Sequence, residues 1–592
     1  QKVSCESVTA TPELPAPPRV SLGEGMAEIG GVAGMDAEKA EVPPGVWRIH
    51  GRDYDMTSFV DKHPGGAMLI LCGKGTDCTI LFETYHVFNE PRKRLRTHDV
   101  TPDGLKPEVP KCPSPFLSDV RAMVKEHFKD RPKGSHKATC AQLMLMGLLL
   151  LLELACAFWW LAFRSPIGGL LCGFINYLLM VNLGHDSSHG ALTRYPRVNM
   201  ICQFLGNAPW VSGQASWNIQ HVVSHHQHTN EVGQDVDAHH FPFARWHRAT
   251  TPEINGGAWC GGVHNLFWHF VTYIAATLSM SVIHPLHFIF QPLIATLCCG
   301  KLPKGFEGGL ESAELPRHGI LGCPQPKFDS AYEKVAGTFA RERVLLHNPW
   351  WVIGNLTAVL LSITMMIAPT LYRVSGVDYM LDDYPPEYTT TMDCTLDWMW
   401  TAGLGFLPFA VSSVCFMTAT QISHIQEECQ KDSTLTEPDP YKKQALTALD
   451  HSSSSVLGHF VTGGLNLQSV HHCLPSISLV HYPALYPKFY AVCVKHNCVP
   501  LNAGGMHHAI AQHLGYVYKL GKGNVIDIEP SLKGTTRSAP DDVAKSLDST
   551  GCPSGERLLS RDLQQKGKSV PGHKVCPSPR LPASEPPPKV VV

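Results

Sequence analysis

Residues 141–189 read AQLMLMGLLLLLELACAFWWLAFRSPIGGLLCGFINYLLMVNLGHDSSH. Two apolar runs, 141–163 and 167–184, are each close to the ~20 residues a helix needs to cross a bilayer, and only RSPI separates them. So short a break predicts a helical hairpin. The hairpin delivers His185 and His189 just beyond its second arm, four residues apart and so on one face of a helix. The fold class follows from this stretch: an α-helical polytopic membrane protein whose second helix ends on two metal-ligating side chains.

Further apolar runs at 350–372 and 401–420 bring the expected crossings to four. A fifth run, 267–299, carries His269, His284, Pro285 and His287 and is expected to be partly buried or interfacial. Arg121, Lys125, Lys129, Arg131, Lys133 and Lys137 precede the first span, whereas 373–400 holds Arg373 against Asp378, Asp382, Asp383, Glu387, Asp393 and Asp397. Basic residues collect on cytosolic flanks, so both termini and the long loop between spans two and three are expected in the cytosol. Glu153 falls inside the first span, where an ionisable group is a functional candidate by default; the preferred reading is structural, with the group protonated or hydrogen-bonded to Asn176 or Asn182.

Three more clusters share that cytosolic side. HVVSHH supplies His221, His225 and His226; QISHIQEE supplies His424 directly after the fourth run; QSVHH supplies Gln468, His471 and His472. Imidazole without thiolate suits iron, copper, zinc or nickel, and eight histidines exceed what one ion accepts, so two ions are implied. Two redox metals beside a membrane point to lipid oxidation. Asp235, Asp237 and Glu427 are candidates for orienting the ligand rings. Other histidines, His451, His459 and His481 among them, are read as structural.

Nearer the N-terminus, GVWRIHGRDYDMTSFVDKHPGG (45–66) has the form of strand, glycine turn, strand and a loop bearing His63, and DCTILFETYHVF (77–88) adds His86. Two histidines that clamp a haem iron from both sides leave it no open position, which favours electron transfer over oxygen binding.

The segments HVVSHHQHTN and GGLNLQSVHH, with HDSSH, make residues 140–520 resemble the membrane-bound fatty acid desaturases, specifically the front-end group, in which glutamine occupies the place of a third-box histidine. Residues 43–98 resemble a cytochrome b5 domain, with His63 and His86 axial and Phe59 and Phe82 as pocket walls. The resemblance implies His185, His189, His221, His225, His226, His424, His471 and His472 as iron ligands, with Gln468 beside them. It implies haem b and two iron ions as cofactors, O2 as oxidant, a fatty acyl-CoA or phospholipid acyl substrate, and cytochrome b5 reductase as electron donor. The implied setting is membrane lipid of the endoplasmic reticulum, with haem and boxes on the cytosolic side. The implied reaction places a double bond between an existing one and the carboxyl end, at delta-5 or delta-4. A delta-6 or sphingoid-base delta-8 desaturase, a lipid hydroxylase and a tethered haem electron carrier are the rivals.

The expected organisation is a disordered 1–42, haem domain 43–98, linker 99–137, membrane desaturase domain 138–522 interrupted at 300–345, and a disordered tail 523–592. Both ends are rich in proline and small or polar residues. With 49 basic against 51 acidic residues no field draws the chain to nucleic acid. The 20 cysteines sit largely in apolar runs without zinc or disulfide spacing, as buried hydrophobes do in a cytosol-facing protein.

Overall fold

The structure, a computed structural model, describes residues 42–523 except 44, 89–90, 111, 209–213, 232–234, 240–243, 250–260, 279–348 and 376–390. Nearly all of 1–42 and 523–592, and the whole of the 300–345 insertion, therefore lie outside the described residues.

The N-terminal unit opens on a hairpin, Trp47–Ile49 paired antiparallel with Arg52–Tyr54 in the register Trp47 to Tyr54. Its two-residue turn, His50–Gly51, has positive φ at both positions, as the right-handed twist of a tight hairpin requires. Two short helices follow, Ala67–Cys72 and Thr79–Tyr85. Trp47, Ile49, Val60, Leu71 and Leu81 bury themselves between them and the hairpin, and the Trp47 indole N–H donates to Ile70 O at 2.6 Å.

The expected linker contains a helix, Pro115–Phe128. Proline at its first position and Ser114, whose side chain accepts from Leu117 N, start it. Phe116, Leu117, Val120, Val124 and Phe128 form its buried stripe against the Tyr482–Lys495 helix, with the Phe116 and Phe489 rings 6.3 Å apart. Within 99–137 this helix is therefore packed rather than free, because its stripe needs a partner.

Three described helices are long and apolar enough to cross a membrane: Cys140–Phe163, Pro166–Ser188 and Thr391–Gln421. The expected run at 350–372 falls in the helix Pro349–Ser375, whose apolar part, Leu356–Tyr372, is shorter than these. Leu151, Leu154 and Phe158 point outward from the first span and are more than half exposed, as side chains facing lipid are. Inside, the Trp160 indole N–H donates to Leu404 O at 3.0 Å, and Asn176 Nδ2 donates to Glu153 Oε1 at 2.7 Å. Glu153 therefore has the structural partner expected of it.

The helix Gly262–Leu278 begins the fifth apolar run. Thr277 donates through Oγ1 to Phe409 O at 3.0 Å, and its N–H donates to Ser413 Oγ at 3.1 Å. Both partners lie midway along Thr391–Gln421, so this helix reaches deeper than an interfacial placement, the rest of 267–299 being outside the described residues.

Candidate metal centre and haem site

The helix that carries His185 does not run on as a plain α-helix. Met180–Gly184 is a π-helical turn, followed by the α-turn His185–Ser188. Gly184 makes this possible on its outer side, since any Cβ there would collide with Asn207 of the helix Pro196–Asn207. The second box repeats the device: Asn218–His225 is π-helical and His226–His228 returns to α. A π-turn closes on residues five apart, so His221 and His226 share a face that an α-helix would divide. The third box sits on Gln468–Cys473, entered through Gly463 and Gly464, both at positive φ, with Gly463 against the Val181 carbonyl.

These elements gather all eight predicted histidines, each buried. His185, His189, His221 and His471 form one group and His225, His424 and His472 a second, with the ligand atoms of each within 4.8 Å of one another. His226 lies between them, its Nε2 3.3 Å from His221 Nε2 and its ring stacked 4.4 Å from that of His472.

The rings turn nitrogen to nitrogen. Nε2–Nε2 separations are 2.9 Å for His185–His221, 3.0 Å for His221–His189, 3.2 Å for His225–His424 and 3.0 Å for His472–His424. Two nitrogens held at a right angle ~2.1 Å from one ion stand roughly 3.0 Å apart. Burial pushes His189, His221, His226, His471 and His472 well below their ordinary pKa, and His424 to about 3, so these rings are neutral. Neutral imidazoles this close either share one N–H between their nitrogens or point both lone pairs at a cation. His471 Nε2, buried among His185, His189 and His226, has no hydrogen-bond partner among the described residues. The donor set fits two metal ions.

The outer nitrogens are fixed. His424 Nδ1 donates to Thr447 O at 3.1 Å and His472 Nδ1 to Gln444 Oε1 at 2.8 Å, which leaves Nε2 of each as the ligating atom. His225 Nδ1 lies 3.2 Å from both oxygens of Asp235 and 3.5 Å from Asp237. Burial alone would lower its pKa, but the two carboxylates outweigh it and raise it to about 9. Asp235 and Asp237 thus orient a ligand ring; Glu427 does not, pairing instead with Lys519 at 2.9 Å. The Gln468 amide nitrogen lies 2.7 Å from His424 Nε2 and 3.2 Å from His472 Nε2, while its oxygen has no partner among the described residues. A half-turn of the amide exchanges the two atoms and presents oxygen lone pairs to the second group.

Sequence reasoning missed several supports. Asp450 accepts from Ser469 N and Oγ and holds the third-box helix at its start; Asp186 accepts from Ser478 Oγ and Leu479 N. Asp186 lay in plain view within HDSSH. Gln444 and Asp450 carry no spacing signal. His451, His459 and His481 stand outside the metal groups, His459 being held by Asn466 and Leu479 O and His481 by Lys137 O.

In the N-terminal unit the His63 and His86 ring centroids are 6.4 Å apart. One iron bound by a nitrogen of each ring at ~2 Å spaces the centroids roughly 6 Å apart. His63 Nδ1 is tied to Gly66 O at 3.1 Å and His86 Nδ1 to Phe82 O at 2.7 Å, leaving both Nε2 atoms free to ligate. Burial lowers the pKa of both, His86 to about 4, and so keeps the ligating form. Phe59 and Phe82 flank the pair at 6.0 Å and 4.7 Å. These residues fit a haem held on both faces.

Residues 157–294 and 386–501 match the family Fatty acid desaturase, and residues 35–102 match the Cytochrome b5-like Heme/Steroid binding domain. The chain is 27% identical over 529 residues to the acyl-lipid omega-13 desaturase of Chlamydomonas reinhardtii, covering 81% of this chain and 94% of that protein. It is 26% identical over 495 residues to Delta(5) fatty acid desaturase A of Dictyostelium discoideum, covering 80% and 90%, and 24% identical over 497 residues to the acyl-lipid (8-3)-desaturase of Mortierella alpina, covering 80% and 93%. Paired histidine groups beside apolar spans, with a match to the Fatty acid desaturase family and another to a cytochrome b5-like domain on the same chain, are consistent with a front-end desaturase fused to a cytochrome b5 domain. Haem and two irons are the cofactors these two regions call for.

Proposed function

We propose that the chain inserts a delta-5 or delta-4 double bond into a polyunsaturated acyl chain, on the carboxyl side of an existing double bond. The bond position follows Gln468, the HVVSHH spacing and the fused haem domain, and the observation that supports an acyl substrate is the cavity beside the two histidine groups. Its wall combines His185, His221, His225, His424 and Gln468 with apolar Trp217, Phe416, Met417 and Leu465. The apolar part of that wall suits a hydrocarbon segment brought up to the metal ligands.

When bound, the two irons activate O2 and abstract two hydrogens from adjacent carbons, with O2 leaving as two waters after two electrons and two protons are supplied. His185, His189, His221 and His471 would hold one iron and His225, His424 and His472, with Gln468 beside them, the other, while His226 lies next to both groups. Burial of these residues excludes bulk water from the oxidising centre. His63 and His86 would hold the haem that receives electrons from a cytochrome b5 reductase.

Orientation rests on the basic flank of the first span. Arg121 and Lys137 are taken up by internal contacts, Lys137 donating to Gly190 O and Ser476 O. Lys125, Lys129, Arg131 and Lys133 remain exposed and support a cytosolic haem domain and boxes in the endoplasmic reticulum membrane.

The test is expression in a host without polyunsaturated fatty acids, fed single substrates as free acids, with new double bonds located by mass spectrometry. Bonds on the carboxyl side of an existing one are expected. Methyl-side insertion, or efficient use of stearate, overturns the front-end assignment; a delta-6 or delta-8 product overturns only the position.

A further inference from the structure

Tyr85 ends the helix Thr79–Tyr85 and is bonded directly to His86, the second candidate haem ligand. Its hydroxyl lies 2.6 Å from His189 Nδ1. His189 Nε2 faces the other ligands, so when it ligates iron, Nδ1 carries the proton and donates to the Tyr85 oxygen. One side chain and one hydrogen bond therefore join the residue that holds the haem to a residue that holds an iron.

The contact belongs to a built seat. Val222 and Val223 of the second box lie in one apolar cluster with Trp47, Ile70 and Leu81 of the haem domain. Gly66, beside His63, lies so close to Pro196 that a Cβ there would stand 2.8 Å from the proline Cβ. Behind the haem helix, the buried Glu83 carboxylate receives Arg121 at 2.5 Å, Arg92 at 3.0 Å and His50 at 2.6 Å. Arg121 belongs to the helix packed on Tyr482–Lys495, so this ion pair fixes the haem helix to the desaturase domain.

We propose that Tyr85 is the positioning residue that joins the two redox centres: the Glu83–Arg121 pair seats the haem domain on the second box, and electrons cross within one chain through the Tyr85–His189 hydrogen bond. Each passage oxidises one ferrous haem and reduces one iron of the pair by one electron; no covalent bond changes and the Nδ1 proton stays in place. Two passages, each preceded by re-reduction of the haem by the reductase, supply the two electrons that one double bond and the reduction of O2 require. The proposal rests on the desaturase reading. If the parent chain forms no double bond in any fed substrate, that reading fails; if it does so but the following variants behave like the parent, this proposal alone fails.

The experiment uses the full chain purified with haem and iron. The parent and Tyr85→Phe are reduced at the haem, then mixed with acyl substrate and O2 while the haem absorbance is followed. Removing a partner of a metal ligand costs roughly 10–100-fold in metal affinity or in activity; with the chain loaded at saturating iron, affinity does not limit, and haem reoxidation in Tyr85→Phe is expected to slow at least about tenfold. Three other readouts stay at the parent value: the six-coordinate haem spectrum, iron per chain, and the single-turnover product formed when both centres are reduced chemically beforehand. Reoxidation at the parent rate overturns the proposal, and so does slowed reoxidation explained by lost iron, since Tyr85 would then serve only to hold His189. If Tyr85→Phe does not fold, Arg121→Gln decides. Slower haem reoxidation with an unchanged haem spectrum and iron content supports the seat, and the parent rate overturns it.

Discussion

Glu83→Gln removes the carboxylate at the centre of the haem-domain seat while keeping its shape. Glu83 is 1% exposed and Arg121 4% exposed, so the pair is buried, whereas Arg92 is partly solvated and counts for less. Removing one charge of a buried pair costs ~3–5 kcal/mol because the other is left uncompensated. Glutamine still offers an oxygen to Arg121, which places the loss at the lower end, ~3 kcal/mol. At ~1.4 kcal/mol per tenfold, the undocked population rises about 100-fold. Limited proteolysis of the detergent-purified chain measures this, because cleavage of a transiently opened segment follows the open population when closing is fast. Cleavage within the haem helix, Thr79–Tyr85, where Leu81, Glu83 and Thr84 are buried, is expected to accelerate about 100-fold at pH 7. The pH dependence has a definite sign. Burial alone would raise the Glu83 pKa, but His50, Arg121 and Arg92 outweigh it and hold it below its ordinary value. Stability from a depressed carboxyl is complete above its unfolded pKa, ~4.3, and disappears as pH falls through the lower folded one. The parent's advantage over Glu83→Gln is thus intact at neutral pH and shrinks only in acid. Equal cleavage rates at pH 7 would refute the reasoning.

Ala at His63 or His86 is expected to abolish the six-coordinate haem spectrum, read by absorbance; an unchanged spectrum in either variant would exclude that residue as axial. His189→Ala, His225→Ala and His472→Ala are each expected to abolish desaturation in the fed host while the haem spectrum stays intact, and near-normal product from any of them removes that residue from the ligand set. Gln444→Leu removes the nearer partner of His472 Nδ1 and leaves Thr229 Oγ1 at 3.2 Å, for an expected loss of iron affinity of about tenfold, the lower end for such partners, measured by competition with a chelator; parent-like affinity would show that the Gln444 hydrogen bond does not orient the ring. Gln468→His is expected to alter product yield without abolishing it, since imidazole also binds iron, and complete loss of iron would contradict that.

Much of the site was legible because its chemistry is carried by residue type. Histidines repeated at short spacing beyond apolar runs indicate metal near a membrane wherever the chain later folds, and His424 was found because it directly follows a span. The hairpin around His50–Gly51 was equally legible, since a glycine between two short alternating strands restricts the turn. The position of His226 was not, because a π-turn arises from packing against neighbouring helices and leaves no periodic mark. Nor was Tyr85, whose meaning depends on a contact 104 positions away. The helix at Pro115–Phe128 had its signals in the Ser-Pro start and apolar stripe, but a segment joining two recognisable units reads as a spacer until its partner, Tyr482–Lys495, is in view.

The π-helical second box makes chain length there as exacting as residue identity. Each residue of an α-helix advances ~100°, so deleting one residue between Asn218 and His221, which relaxes the turn to α but keeps His221 and His226 five apart, would set the two roughly 140° apart round the axis. A gap placed in this segment when related sequences are aligned therefore changes the predicted ligand set, even when every histidine is retained. For anyone redesigning the enzyme, substitutions among Ile219, Val222 and Val223 leave the count intact, whereas insertions and deletions belong outside 214–228.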